Sequence, residues 1–351
     1  MTGRPRLTSL DTFRGLVVAL LVLVEWVLPS PAYPWLRHSP WDGLRVADVV
    51  FPAFLFMVGA GASFATPGDG RRLAKRTVLL LVLGLLFNAW GTGGADLSML
   101  RLPGVLQMIA VAGLLTGLVT RFVQRPAVVA GLGLGLAAVH GLVISHVRID
   151  CGAGRLDPGC SVGWAVDRHV FGLDHLYRQG VADHDPEGLL TTAFGATALV
   201  LLGWAAGRFL YRQSSRAAAG ALAAACLAGA GLASLFWPLN KRVWTPTFSL
   251  LLAGGCILVL VALAALLDGR EHRHRQPVRW TLTALGRNAL LLYVGQHVVL
   301  TALLATPAGD GTLATALLDQ VGSLLGVAVL AVAVWSLVAA ALHALDWHWT
   351  A

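Results

Sequence analysis

Charged residues are scarce in this sequence. Asp, Glu, Lys and Arg make up 13% of its 351 residues, whereas hydrophobic residues make up 56%. A soluble domain carries about 25% charged residues, so this chain has too little charge to cover a water-exposed surface. The sequence also contains no phosphate-binding loop and no G-x-S-x-G turn. Nucleotide-driven and serine-hydrolase chemistry therefore have no support in it.

The apolar residues form long runs without the period-two alternation that a transmembrane barrel requires. A helix needs about 20 such residues to cross a bilayer core about 30 Å thick. The sequence therefore predicts an all-α fold, a polytopic integral membrane bundle of about ten transmembrane helices in one domain over 1–351. The predicted spans are 15–31, 46–66, 74–91, 102–120, 126–146, 188–210, 217–236, 247–267, 281–305 and 321–343.

Basic residues are concentrated in alternate loops, and this predicts the orientation of the chain. Sixteen fall on the side of the N-terminus and nine on the opposite side. Cytoplasmic loops carry the excess of Lys and Arg, so both termini are predicted to be cytoplasmic. We expect a multi-pass protein of a bacterial cytoplasmic membrane, surrounded by membrane lipids. The net charge of +8 comes from these clusters. No basic face with aromatic residues is seen, so nucleic acid is not an expected partner.

The longest polar segment, at about 147–187, is predicted to be extracytoplasmic. It contains Cys151 and Cys160, whereas the other two cysteines lie in apolar runs. A close pair of cysteines in an oxidising compartment indicates a disulfide, and two unpaired thiols are the alternative. The segment also contains His and carboxylate side chains of the kinds that bind metals. Their spacing matches no compact site, so a folded, solvated loop without a metal is the preferred interpretation.

Two prolines, Pro52 and Pro103, fall inside predicted spans. In a membrane, such helix breaks are tolerated where neighbouring groups or water satisfy the freed carbonyl groups. These helices therefore either line a cavity or contain ordinary packing kinks.

Three polar residues near the outer face are candidates for chemistry. Glu25 lies within the first span, where an acid usually faces a bundle interior or an aqueous cavity. His38 lies in the first outer loop, and Asp48 opens the second span, where it is also suited to cap a helix. A pair of His38 with Asp48 is geometrically feasible, and such a pair makes the imidazole a better proton acceptor.

Seven blocks of the sequence, in order along the chain, resemble the heparan-α-glucosaminide N-acetyltransferase family. The blocks are Leu10–Gly15, His38–Pro52, Arg101–Gln107, Asp174–Tyr177, Asp185–Leu190, Pro238–Lys241 and Gly286–Gly295. The resemblance implies acetyl transfer from cytoplasmic acetyl-CoA to the amine of a terminal glucosamine, or of a related glycan, outside the cytoplasm.

The resemblance also implies roles for particular residues. His38 corresponds to the active-site histidine of the family, and Asp48 and Glu25 are further catalytic candidates. One departure is that the family commonly has Asn near the position of Glu25. At the inner face, the candidates for binding acetyl-CoA are Arg14, Arg287 and Asn288. The candidates for binding the acceptor are Asp174, His175, Tyr177, Glu187 and Asn240.

Two other classes of protein remain as alternatives. A transporter of a sugar or a lipid-linked precursor would use Glu25 and Asp48 as coupling carboxylates. The absence of internal repeats argues against this interpretation. A purely structural membrane subunit would not need a buried Glu beside a polar loop. Small residues around Gly220–Gly231 would suit a homodimer contact, and packing within one chain explains them equally well.

Overall fold

The computed structural model describes residues 7–27, 31–65, 70–91, 96–180, 183–185, 187–268 and 277–347. Arg4, Arg6 and the basic residues of 270–276, which entered the prediction of orientation, lie outside the described residues. Most of the described chain is helical. The helices are α1 (Thr8–Val27), α2 (Val46–Ala62), α3 (Gly70–Gly91), α4 (Val105–Phe122), α5 (Pro126–His146), α6 (Val162–Phe171), α7 (Thr197–Gly207), α8 (Arg216–Ala233), α9 (Pro246–Leu267), α10 (Pro277–Arg287), α11 (Ala289–Ala305), α12 (Leu313–Val321) and α13 (Leu324–Ala344). Helix α7 is extended by π-helical turns at Thr191–Ala196 and Arg208–Arg212.

The strands of the described chain are short and form four antiparallel pairs, each joining consecutive strands. Three pairs lie in the polar segment between α5 and α7, and the fourth lies between α11 and α12. The strands are β1 (Arg148–Ile149), β2 (Gly152–Ala153), β3 (Leu156–Asp157), β4 (Cys160–Ser161), β5 (Tyr177–Gly180), β6 (Asp183–Asp185), β7 (Pro307–Ala308) and β8 (Gly311–Thr312). The predicted polar segment is therefore a folded loop of hairpins around α6.

An all-α polytopic membrane fold is confirmed. Seven described helices are long and apolar enough to cross a membrane, and α10 with α11 makes an eighth if that bent pair is one span. The seven are α3, α4, α5, α7 with its π turns, α8, α9 and α13. Helix α1 contains three charged residues and α2 has 17 residues, so neither is among them. All ten predicted spans nevertheless fall on helices. The predicted orientation of the termini stays a prediction.

Two sequence predictions about helix continuity are wrong. The span predicted at 281–305 is broken at Asn288, where α10 and α11 are bent by 84°. Pro103 does not lie inside a helix, because α4 begins at Val105. Pro103 therefore interrupts no helical hydrogen bonds. Pro52 does lie inside α2, as predicted.

The chain divides into two compact units. The first comprises Met1–His38, Arg45–Val50 and Val259–Ala351, and the second comprises Ser39–Leu44 and Phe51–Leu258. In the first unit, glycines allow α1 and α10 to approach closely. A Cβ added at Gly15 would lie 1.9 Å from the carbonyl oxygen of Leu282, and one at Gly286 would lie 1.9 Å from that of Asp11. Two glycines of the family-like blocks therefore have a packing role.

In the second unit, small residues bring α2 and α7 together. A Cβ at Gly59 would lie 1.9 Å from the carbonyl oxygen of Val200, and one at Gly203 would lie 2.1 Å from that of Phe56. Close backbone approach through small residues is a common way for membrane helices to associate. Helix α7 is accordingly buried along its entire length.

Candidate functional site

His38 and Asp48 are in direct contact. Nδ1 of His38 lies 2.8 Å from Oδ1 of Asp48. The carboxylate is fully buried, whereas the imidazole is 32% exposed. A carboxylate accepts hydrogen bonds, so in the neutral imidazole this contact places the proton on Nδ1. The lone pair then lies on Nε2, which is the arrangement of a histidine that accepts a proton from a substrate.

Asp48 also stabilises the beginning of α2. Its Oδ2 accepts a hydrogen bond of 2.9 Å from the backbone N–H of Arg45, immediately before the helix begins at Val46. This is one half of a capping box, in which a side chain in the first turn satisfies an N–H that has no helical partner. The sequence left helix cap and histidine partner as two interpretations of Asp48. Both apply, because each carboxylate oxygen serves one of them.

The segment that follows His38 is held by hydrogen bonds within the second unit. The indole Nε1 of Trp41 donates to the carbonyl oxygen of Leu156 at 2.8 Å. The backbone N–H of Gly43 donates to the carbonyl oxygen of Leu239 at 2.7 Å. Gly43 has φ of +104°, a conformation that other L-residues rarely adopt, so this turn requires glycine.

Asn240 fixes the same segment from the Pro238–Lys241 block. Its side chain is completely buried. Nδ2 donates to Oδ1 of Asp42 at 2.9 Å, and Oδ1 accepts the backbone N–H of Val243 at 2.8 Å. The amide therefore has partners for both of its polar atoms inside the protein. The acceptor contact predicted for Asn240 stays a prediction, and the observed contacts are those of a residue that holds a loop.

Glu25 contacts a histidine that the sequence analysis did not single out. Oε2 of Glu25 in α1 lies 3.7 Å from Nδ1 of His297 in α11. The next residue on each helix forms a second contact, because Nε1 of Trp26 donates to Oε1 of Gln296 at 3.1 Å. An ionisable residue within an apolar span is itself a signal of function, and this signal was available for His297 in the sequence.

The arginines proposed for acetyl-CoA lie on two helices that pack together, Arg14 in α1 and Arg287 as the last residue of α10. Arg14 is 30% exposed and lies 3.7 Å from the carboxylate of Asp11. Arg287 is 13% exposed, and its guanidinium lies 2.8 Å from Nδ1 of His343 and 3.6 Å from Asp346. Asn288 is buried at the corner between α10 and α11. The structure therefore brings Arg287 and Asn288 to a helix break, next to the C-terminal end of α13.

Residues proposed for the acceptor gather around Arg101 in the second unit. Arg101 donates to Oε2 of Glu187 at 3.1 Å and stacks over the ring of Tyr177 at 4.3 Å. Nδ1 of His175 lies 2.8 Å from the carbonyl oxygen of Leu100. Asp174, which precedes His175 in the sequence, is exposed. Three family-like blocks that are distant in sequence thus meet at one loop cluster.

Asp167 has a structural role that the sequence did not reveal. Its buried carboxylate accepts the backbone N–H groups of Gly188 and Leu189, each at 2.8 Å. These groups begin the helix that leads into α7, so Asp167 caps that helix from 21 positions away. Burial raises the pKa of Asp167 to about 6, against the opposing effect of the two hydrogen bonds. Gly188 leaves space for the carboxylate, since a Cβ there would lie 2.2 Å from it.

The predicted disulfide between Cys151 and Cys160 is present. It closes a ring that contains Leu156, the residue whose carbonyl oxygen binds Trp41. Cys226 and Cys256 are buried and free. In the parts of the chain that the structure describes, no three His, Cys, Asp or Glu side chains are grouped so that they could hold a metal ion.

These features define a polytopic α-helical membrane protein with a histidine–carboxylate pair at one end of its helices. The family described as "Heparan-alpha-glucosaminide N-acetyltransferase, catalytic" matches residues 6–241, and the chain belongs to this family. The matched region contains His38, Asp48, the Arg101 cluster and Asn240. It ends before α10 and α11.

Two curated proteins are similar to the chain, and both are named heparan-alpha-glucosaminide N-acetyltransferase. The human protein is 27% identical over 367 aligned positions, which cover 84% of this chain and 53% of the relative. The mouse protein is 26% identical over 366 positions, which cover 84% and 54%. The chain thus spans about half the length of the curated relatives it matches. Because these relatives are mammalian, they give no support to the expected bacterial cytoplasmic membrane.

Proposed function

We propose that the protein transfers an acetyl group from acetyl-CoA to the amine of a terminal glucosamine or of a related glycan. The observation that carries this proposal is the His38–Asp48 pair, a partly exposed imidazole oriented by a buried carboxylate. The pair lies within the region that matches the N-acetyltransferase family. The names of the two relatives supply the acceptor class.

The thioester of acetyl-CoA is already reactive, so the proposed reaction needs a base rather than further activation of the donor. The amine nitrogen attacks the thioester carbonyl, a C–N bond forms, and Nε2 of His38 takes a proton from the nitrogen. The C–S bond then breaks, and the CoA thiolate leaves and is protonated. Asp48 holds the imidazole in place and stabilises its protonated form. General-base catalysis of this kind contributes about 10²–10⁴-fold. In a second route His38 itself carries the acetyl group before passing it on.

Acetyl-CoA is proposed to bind from the cytoplasmic side. Its nucleotide end carries several negative charges, which require cations. Arg14 fits this role because its side chain is 30% exposed and therefore accessible to a phosphate group. Arg287 is less accessible and already contacts His343. With Asn288, these residues form the proposed nucleotide end of the donor site.

The glycan is proposed to meet the chain on the opposite side of the membrane. Asp174, His175, Tyr177 and Glu187 provide the charged, aromatic and hydrogen-bonding groups that sugar hydroxyls require. Asn240 is proposed to act through the segment next to His38. Glu25 is proposed as a further acid near the acceptor amine.

A direct assay tests the proposal. The purified full chain in lipid nanodiscs is incubated with ¹⁴C-acetyl-CoA and glucosamine, and the sugar fraction is analysed for N-acetylglucosamine. Transfer above a sample without protein supports the function. If CoA release and labelled amide stay at background with glucosamine and with glucosamine-terminated oligosaccharides, the proposal is rejected.

A further inference from the structure

Two neighbouring contacts between α1 and α11 differ in character. The Trp26–Gln296 hydrogen bond is buried, and Gln296 is completely inaccessible. The adjacent Glu25 and His297 side chains remain 26% and 29% exposed, and their contact of 3.7 Å is longer than a hydrogen bond. The first contact fixes the register of the two helices. The Glu25–His297 contact is therefore not needed to fix the register, and both of its side chains keep exposed surface.

The carboxylate of Glu25 is incompletely satisfied. In the described part of the chain, His297 is its ionic partner and no group donates a hydrogen bond to it. A carboxylate at membrane depth is costly unless it is paired, and it usually faces a cavity or another helix. This arrangement leaves a reachable anion with capacity for a cationic donor.

The position of Glu25 relates it to the His38–Asp48 pair. Glu25 lies two residues before the end of α1 at Val27, His38 lies in the loop that follows, and Asp48 lies in the first turn of α2. No span separates α1 from α2, so all three residues are on the same side of the membrane. The amine of a glucosamine arrives there mostly as an ammonium ion. An ammonium ion is bound most strongly by a negatively charged group. Glu25 has a carboxylate for this purpose, whereas His38 has no negative charge.

We propose that Glu25 binds the ammonium group of the acceptor, and that His297 is the partner of Glu25 when no acceptor is bound. The ammonium ion passes one proton to the Glu25 carboxylate before its nitrogen attacks the thioester, and His38 takes the second proton as the C–N bond forms. The site therefore selects amino sugars over neutral sugars of the same shape. This inference rests on the proposed function, because the acceptor class comes from it. Binding of a cationic sugar can nevertheless be tested apart from the proposed function, because it does not require acetyl transfer.

The test uses a sugar that binds without reacting. The 2-dimethylamino analogue of glucosamine is protonated at neutral pH, and a tertiary amine cannot form a stable amide. Its dissociation constant and that of glucose are measured by calorimetry on the full chain in nanodiscs. A hydrogen bond to a charged group contributes about 1.5–3 kcal/mol. Glu25→Gln is therefore expected to weaken binding of the analogue at least about 10-fold and to leave glucose within twofold.

His297→Gln and Gln296→Leu are the matched variants. His297→Gln keeps the carboxylate and removes its competitor, so the analogue should bind at least as tightly as to the wild type. Gln296→Leu removes the neighbouring hydrogen bond and should not change the preference for the cation. Parallel losses in Glu25→Gln and His297→Gln would show a structural ion pair and overturn the inference.

The inference and the proposed function fail differently. If wild type acetylates glucosamine but Glu25→Gln keeps the same preference for the cationic analogue, the inference is wrong and the function stands. If wild type binds the analogue through Glu25 but transfers no acetyl group, the site stands and the acetyltransferase proposal is wrong.

Discussion

Asn240 donates a hydrogen bond of 2.9 Å to Asp42, a residue 198 positions earlier in the chain. Asp42 lies four residues after His38, in a turn that also binds the backbone of Leu239. The Pro238–Lys241 block thus fixes the segment next to the proposed base.

Asn240→Leu is expected to lower kcat and leave the Kd for acetyl-CoA within twofold. The change removes the donor to Asp42 and leaves the N–H of Val243 unsatisfied, which costs about 1–3 kcal/mol of stability. Asp42→Asn keeps an acceptor oxygen and is the control, with a much smaller loss. Kinetic assays and donor-binding measurements on folded samples check the prediction. Equal kcat for Asn240→Leu and wild type would contradict the positioning role.

Gly286→Ala is expected to destabilise the first unit. The added Cβ would lie 1.9 Å from the carbonyl oxygen of Asp11, and backbone atoms cannot give way without moving a helix. Overpacking of this kind costs about 1–3 kcal/mol or more. Gly220→Ala in α8 is the control, because a Cβ there meets nothing within 4 Å. Thermal unfolding in detergent should separate the two variants, and similar midpoints would refute the close helix contact.

Asp167 is expected to make stability depend on pH. Its pKa is about 6 in the folded protein and near 4 in an unfolded chain. The folded state therefore binds the proton more tightly. Below pH 4, binding of this proton contributes its full stabilisation to the folded state. The stabilisation falls by about 1.4 kcal/mol per pH unit as the pH rises from 4 to 6. Asp167→Asn should remove this slope between pH 4 and 6. An unchanged slope in the variant would contradict the assignment.

Arg14→Ala is expected to weaken acetyl-CoA binding more than acceptor binding. A charge-assisted contact to phosphate is worth about 1.5–3 kcal/mol, which corresponds to a change in Kd of about 10-fold or more.

Arg287→Ala should also weaken acetyl-CoA binding more than acceptor binding. Its control is His343→Ala, which removes the helix contact of Arg287 and keeps the charge. If the two variants weaken acetyl-CoA binding equally, Arg287 acts only through α13.

The sequence predicted the helices well because bilayer thickness fixes their length and apolar composition. The span predicted at 126–146 is the observed α5, Pro126–His146. The break at Asn288 was not predicted, because the predicted span averages hydropathy over both helices and hides the polar pair Arg287 and Asn288. Likewise, the sequence shows glycine at positions 15 and 286, but it does not show that the helices containing Gly15 and Gly286 are neighbours.

The site was partly predictable for a similar reason. His38 and Asp48 are separated by one loop, so connectivity alone places them at one membrane face. The Trp26–Gln296 contact between α1 and α11 joins residues 270 positions apart, and the order of helices in a bundle is not encoded in the apolar pattern. His297 was therefore missed as the partner of Glu25. Asp167 was grouped with other polar loop residues because its burial depends on a contact with Gly188.

The most direct test of the account replaces His38 by Ala in the full chain. His169→Ala, which changes an exposed histidine in the last turn of α6, is the control. We expect turnover of acetyl-CoA with glucosamine to fall at least about 10²-fold in His38→Ala, with acetyl-CoA binding retained. His169→Ala should behave as wild type. Near-normal turnover by a well-folded His38→Ala protein would contradict the assignment of His38 as the base.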